Sequence, residues 1–184
     1  RRQRQMCIRD RFGRADKFGR VVANRLGKIK DLSAIQGVGA GKTVLITGAS
    51  SGLGAMMARK FAFLGYNLAI CARRLERLEA LKAELESTFG VKVWVRQLDV
   101  SDHEAIFAVF DDFAQEAGGL DKVIVNAGVG DSRVIGHGRF HINKATAQIN
   151  FISALAQCEA AMQIFRAQNS GHLVVISSMS AVRG

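Results

Sequence analysis

The sequence predicts an α/β domain built on a doubly wound parallel sheet. Two patterns carry this expectation. Five short, continuous apolar runs alternate with segments of helical period, as parallel strands buried on both faces alternate with crossover helices. The clusters rich in Gly, Asn, Ser or Asp fall just after those runs, at the carboxyl ends where open parallel sheets bind ligands.

The first run is Val44-Leu45-Ile46, followed by a Gly-rich turn and a helix over about Leu53 to Leu64. Leu68 to Ala72 forms the second strand. The next helix spans roughly Leu75 to Phe89, with Leu75, Leu78, Leu81 and Leu85 on one face. Val91 to Leu98 is the third strand. Ser101 and Glu104 have capping-box spacing, and the helix after them carries Ile106, Phe107, Val109, Phe110 and Phe113. Val123-Ile124-Val125 is the fourth strand. A Gly-rich loop runs from Gly128 to about Ile142, a long helix covers Lys144 to Ala167, and Leu173 to Ile176 is the fifth strand. Five βα units in series imply right-handed crossovers and helices on both faces of the sheet.

The 184 residues suffice for one domain with its own core. The net charge of +10 suggests nucleic acid until it is located. Residues 1–42 hold 12 Lys and Arg against 3 Asp and Glu, and residues 43–184 hold 14 against 13. The body is nearly neutral, so neither nucleic acid nor an anionic surface is expected as its partner. Residues 1–11 resemble translated adapter DNA and are left out of the fold reading; the competing reading is a basic arm. In residues 12–42, Phe18, Val22, Leu26 and Ile29 recur at helical spacing among basic residues, as in a surface helix or a loose extension. Gly37 to Thr43 resembles the end of a P-loop, but the required leading glycine is replaced by Gln36 and the strand comes after, not before. The longest apolar stretch, Phe61 to Ala72, is broken by Gly65, Tyr66 and Asn67, so no stable membrane span is expected. Cys7, Cys71 and Cys158 are odd in number, and neither they nor the four histidines show metal spacing. A reducing, cytoplasmic setting without a metal is expected.

The turn Thr47-Gly48-Ala49-Ser50-Ser51-Gly52-Leu53-Gly54 lies between the first strand and first helix. Gly48 permits a sharp exit from the strand. Gly52 lets backbone approach a pyrophosphate, and Gly54 lets the helix pack close to the sheet. Free N–H groups at the helix start then face the phosphates.

The spacing Thr-Gly-x-x-x-Gly-x-Gly resembles the short-chain dehydrogenase/reductase family. Further motifs follow in that family's order over residues 43–184: Leu98-Asp99-Val100, Asn126-Ala127-Gly128, Asn150 on the long helix, and Ile176-Ser177-Ser178. The resemblance implies a Rossmann fold. It implies a nicotinamide cofactor held by Thr47, Gly48, Ser50, Ser51, Gly52, Leu53 and Gly54, with Asp99 and Val100 at the adenine and Asn126, Ala127 and Gly128 bordering the site. It also implies that Ser178 orients the substrate, with Ser180 as runner-up, and that Asn150 holds a water in a proton relay. Family members commonly form homodimers or homotetramers. Their Tyr-x-x-x-Lys pair lies further along than Gly184, so the chain is expected to be incomplete at its C-terminus and inactive alone. Tyr66, the single tyrosine, precedes the second strand and cannot substitute.

The cofactor's 2′ position is read at the end of the second strand. An acid there favours a free ribose hydroxyl. This chain has Cys71-Ala72-Arg73-Arg74 and no acid until Glu76, and two guanidinium groups match a phosphate in charge and geometry. NADP(H) is therefore expected, with Arg73 as first contact and Arg74 as second; the plainer reading makes Arg74 a solvated helix start. The expected function is an NADP(H)-dependent oxidoreductase interconverting a small-molecule carbonyl and alcohol by hydride transfer. The alternative is a non-catalytic NADP-binding module.

Overall fold

The computed structural model describes residues 37–130 and 134–178; the leader readings on residues 1–36, and Ser180, lie outside them. Contacts gather residues 37–184 into one compact unit. The elements run β1 (Thr43–Thr47), α1 (Gly52–Phe63), β2 (Asn67–Ala72), α2 (Leu75–Phe89), β3 (Val93–Gln97), α3 (His103–Ala117), β4 (Lys122–Val125) and α4 (Phe140–Ala147). A π-helical turn (Gln148–Ile152), α5 (Ser153–Ala167) and β5 (His172–Val175) follow.

The five strands form one parallel sheet in the order β3-β2-β1-β4-β5. β1 is central and every residue of it is buried. Its period of two divides the core between the faces. Val44 and Ile46 join Leu68 and Ile70 against Ala58 of α1 and Leu78 and Leu85 of α2. Leu45 joins Ala69, Val123 and Val125 against Ile106, Phe110 and Phe113 of α3 and Ala161 and Phe165 of α5. Phe110 and Phe113 are completely buried, each contributing about 1.5–3 kcal/mol by burial. This is the doubly wound Rossmann architecture that the alternating pattern predicts.

Two local readings are corrected, and a third, the rejection of a P-loop, agrees with the structure. The cap of α3 is Asp102, not Ser101: Asp102 Oδ1 accepts from the Ala105 N–H at 3.1 Å. Ser101 instead turns back to Asp99. The helix expected from Lys144 begins at Phe140 and is interrupted by the π-helical turn. The glycines before Thr43 form a turn, with Ala40 N–H on Gly37 O and Lys42 N–H on Gly39 O, both at 2.9 Å. That turn leads into β1, so the P-loop likeness has no helix to open. Among the described residues no helix is long and apolar enough to cross a membrane, and no group of His, Cys, Asp and Glu is placed to hold a metal.

Candidate functional site

The order β2-β1-β4 places the carboxyl ends of β1 and β4 side by side, where the chain's winding direction reverses. Thr47 ties them together. Its hydroxyl accepts from the N–H groups of Asn126 and Ala127, both at 3.0 Å, and its carbonyl accepts from Asn126 Nδ2 at 2.9 Å. Thr47 is fully buried, so three strong polar groups are satisfied away from water. Ala49 N–H continues to the Cys71 carbonyl at 3.2 Å, holding the turn over β2. Burial pushes the Cys71 thiol up to about 12, which leaves it a packing group.

The glycines divide into two kinds. A Cβ on Gly54 would lie 2.4 Å from Gly48 O and 2.8 Å from Asn126 Nδ2, so only glycine fits against these atoms. Gly52, at φ +57°, faces nothing within 4 Å. Its backbone opens onto the space at the start of α1 that a pyrophosphate needs, beside Leu53, which is 57% exposed. The residues present therefore fit a dinucleotide phosphate.

At the β2 end, Arg74 is the residue before α2, yet its side chain does not point into solvent alone. Nη2 donates to Ser51 Oγ at 2.7 Å and to Ser50 Oγ at 3.0 Å, and Nε donates to Ser50 Oγ at 3.3 Å. Arg73 instead lies on the Asp99 side, where its charge helps hold Asp99 down. The two arginines thus occupy different positions, and Arg74 is the one on the glycine turn. The Asp99 carboxylate sits below its usual range because it accepts from the Ser101 N–H at 3.0 Å; the Ser101 hydroxyl at 2.8 Å and Arg73 add to this. Val100 beside it is buried.

At the β4 end, Asn150 sits in the π-helical turn. Its Oδ1 accepts from the Val129 N–H at 2.9 Å and its Nδ2 donates to the Val129 carbonyl at 2.8 Å. A Cβ on Gly128 would lie 3.2 Å from that same Oδ1. Ser178 is exposed and follows β5, which pairs with β4, so it leaves the sheet at the end where Asn126, Ala127 and Gly128 leave it. Tyr66 is at the other end. It is buried before β2, edge-on to Phe61 with ring centroids 5.1 Å apart. The structure adds Val129 and Ser101 to the residues legible from sequence. The Asp-x-Ser spacing was a signal for Ser101; nothing in the sequence marks Val129, which takes part through its backbone.

A family model described as short chain dehydrogenase matches residues 42–184. The chain belongs to the short-chain dehydrogenase family. An uncharacterised oxidoreductase of Mycobacterium tuberculosis is 52% identical over 142 residues, covering 77% of this chain and 56% of the relative. An NADP-dependent 3-hydroxy acid dehydrogenase of Schizosaccharomyces pombe is 36% identical, covering 76% of this chain and 55% of the relative. The chain thus spans about half the length of these curated relatives. Among solved structures, an alcohol dehydrogenase from the archaeon Thermococcus sibiricus complexed with 5-hydroxy-NADP superposes with a TM-score of 0.73 at 30% identity, over 78% of this chain and 60% of that one. NAD+-bound xylitol dehydrogenase gives 0.76 at 27% identity, over 80% and 56%. The short-chain dehydrogenase family binds a nicotinamide cofactor, and the end of this sheet carries a glycine turn, an arginine at its rim and a clamped β4 end.

Proposed function

We propose that this chain carries the cofactor-binding part of an NADP(H)-dependent oxidoreductase that interconverts a small-molecule carbonyl and alcohol. The observation behind the NADP choice is the Arg74 guanidinium seated on the Ser50 and Ser51 hydroxyls, with no acid at the end of β2 to repel a 2′-phosphate. Arg74 is the first phosphate contact in this reading and Arg73 the second, the reverse of the sequence-based ranking.

The bound cofactor supplies the hydride. The chain's own residues bind and orient. Gly48, Ser50, Ser51, Gly52 and Leu53 receive the pyrophosphate on a turn whose shape buried Thr47 and Gly54 hold, Asp99 and Val100 the adenine, and Asn126, Ala127 and Gly128 the nicotinamide side. Ser178 donates to the carbonyl oxygen as negative charge develops there. Asn150, expected from the resemblance to hold a relay water, has both ends of its amide committed to Val129 and serves in this reading as a positioning residue for the β4 end. No Tyr-x-x-x-Lys pair occurs within these 184 residues, so the proton donor is not assigned to any residue of this chain. A cytoplasmic homodimer or homotetramer completes the proposal; Phe151 and Leu155, 67% and 59% exposed, are apolar surface that such an assembly would cover.

Fluorescence titration with NADPH and NADH tests the cofactor. Replacing Arg73 and Arg74 together with Ala should weaken NADPH binding by about 2–4 kcal/mol and leave NADH nearly unchanged. Equal loss for both would remove the 2′-phosphate assignment. In the full-length protein, Ser178→Ala should lower kcat on a ketone panel by about 10²–10³ while NADPH affinity holds. A full-length protein that binds NADPH and turns over no carbonyl or alcohol would be the non-catalytic module.

A further inference from the structure

The last ladder pair between β2 and β3 is Ala72 with Gln97, and the Leu98 N–H reaches the Ala72 carbonyl at 3.0 Å. Beyond this point β2 leaves the sheet, and the Arg73 carbonyl has no strand backbone beside it. The Gln97 side chain supplies the missing rung: its Nε2 donates to the Arg73 carbonyl at 2.8 Å.

That carbonyl belongs to the same rigid peptide plane as the Arg74 N–H. Holding its oxygen fixes the plane from which Arg74 departs, with Arg74 at φ −97° and ψ 90°. The Arg74 side chain makes no cap bond to α2 and reaches back to Ser50 and Ser51 instead. A long, flexible side chain loses rotamer entropy in making such a reach. A fixed starting plane reduces the number of directions it has to search.

We infer that Gln97, which none of the motifs above includes, is a specificity-determining positioning residue: it holds the Arg73–Arg74 peptide so that Arg74 meets the 2′-phosphate. This rests on the 2′-phosphate reading of Arg74 given above. Gln97 does not touch that phosphate itself.

The experiment titrates the full chain with NADPH and with NADH for the wild type, Gln97→Met, Gln97→Glu, Arg74→Ala and the double variant Gln97→Met with Arg74→Ala. Met keeps the side-chain length without a donor. Glu keeps the shape but faces the carbonyl with acceptors only. A thermal melt accompanies each, and because Gln97 is exposed each Gln97 variant should melt as the wild type does. Both Gln97 variants should lower the NADPH preference over NADH by about 3- to 10-fold, the range of one neutral hydrogen bond, with NADH affinity unchanged. In the Arg74→Ala background, Gln97→Met should change the preference no further, because the two act through one contact. If Arg74→Ala lowers the preference and the Gln97 variants do not, the positioning role is wrong and the 2′-phosphate reading stands. If the Gln97 variants weaken both cofactors equally, Gln97 merely supports the sheet end and the inference is overturned. If Arg74→Ala itself leaves the preference unchanged, the reading beneath the inference fails, and the inference with it.

Discussion

Asn150 and Val129 exchange two hydrogen bonds, the side-chain amide of one pairing with both backbone groups of the other at 2.9 and 2.8 Å. The pair mimics a strand ladder where no strand exists. It ties the segment leaving β4 to the π-helical turn at Gln148–Ile152. A single Asn thereby sets the distance between the end of the sheet and the helix beside it.

Asn150→Ala should release the Val129 amide. Hydrogen exchange at that N–H should accelerate, and stability should fall by about 1–2 kcal/mol. Asn150→Asp should fare worse than its similarity suggests, since a carboxylate would face the Val129 carbonyl. Unchanged exchange in Asn150→Ala would show that the pair holds nothing.

Thr47→Val keeps shape but removes the acceptor for two N–H groups. Two donors left unsatisfied in a buried place should cost about 2–4 kcal/mol. Thr47→Ser retains the hydroxyl and should cost less than about 1.5 kcal/mol, the loss of one methyl. Chemical denaturation of the two variants measures the contrast.

Gly54→Ala and Gly52→Ala separate packing from binding. At Gly54 the new methyl meets backbone at 2.4 Å, and overpacking of this kind costs about 1–3 kcal/mol. At Gly52 the methyl meets nothing; the positive φ should cost about 1–2 kcal/mol, and the methyl occupies space assigned to pyrophosphate. Melts should therefore rank Gly54→Ala as the less stable. Gly52→Ala should lose cofactor affinity beyond what its stability change explains.

The Ser101 contacts should show in the acid limb of stability. The Asp99 pKa is lower folded than unfolded, chiefly through the Ser101 N–H, then its hydroxyl and Arg73. A depressed carboxylate stabilises above its unfolded pKa, about 3.9, and the stabilisation is lost as pH falls through the folded value. Ser101→Ala removes only the hydroxyl. Its stability deficit should be constant above about pH 5 and shrink below about pH 4, and a deficit independent of pH would assign the effect to packing instead.

The strands were legible because each is an apolar run buried from both sides, and Val44, Ile46, Leu68 and Ile70 occupy the places such runs require. The glycine turn was legible because its spacing has a mechanical reason at each position. The π-helical turn was not. Gln148 to Ile152 contain no Gly or Pro to mark a break, and the modest helix propensity of Ile, Asn and Phe does not distinguish a π-helical turn from an ordinary one. The cap of α3 was misplaced by one residue because Ser101 and Asp102 are both good caps. Asp99, two residues before, captures Ser101, and a capping pattern does not register that competitor. Which arginine meets the turn was equally hidden, since it depends on the direction of one peptide plane.

The placement of β1 between β2 and β4 also governs the order of assembly. Val44 pairs with Leu68 on one side and with Lys122 on the other. The first closure joins residues near in sequence. The second spans a loop over three times longer, costing about 1 kcal/mol more in chain entropy. The β1–α1–β2 crossover unit can therefore form early, while the other edge of Val44, Leu45 and Ile46 stays open until the chain through β4 arrives. During synthesis that interval is set by translation, at roughly 5–20 residues per second. Among the strand edges that gain a partner in this sheet, the β4-facing edge of β1 thus waits longest, and crowding or slow elongation should harm yield through it before any finished protein is affected.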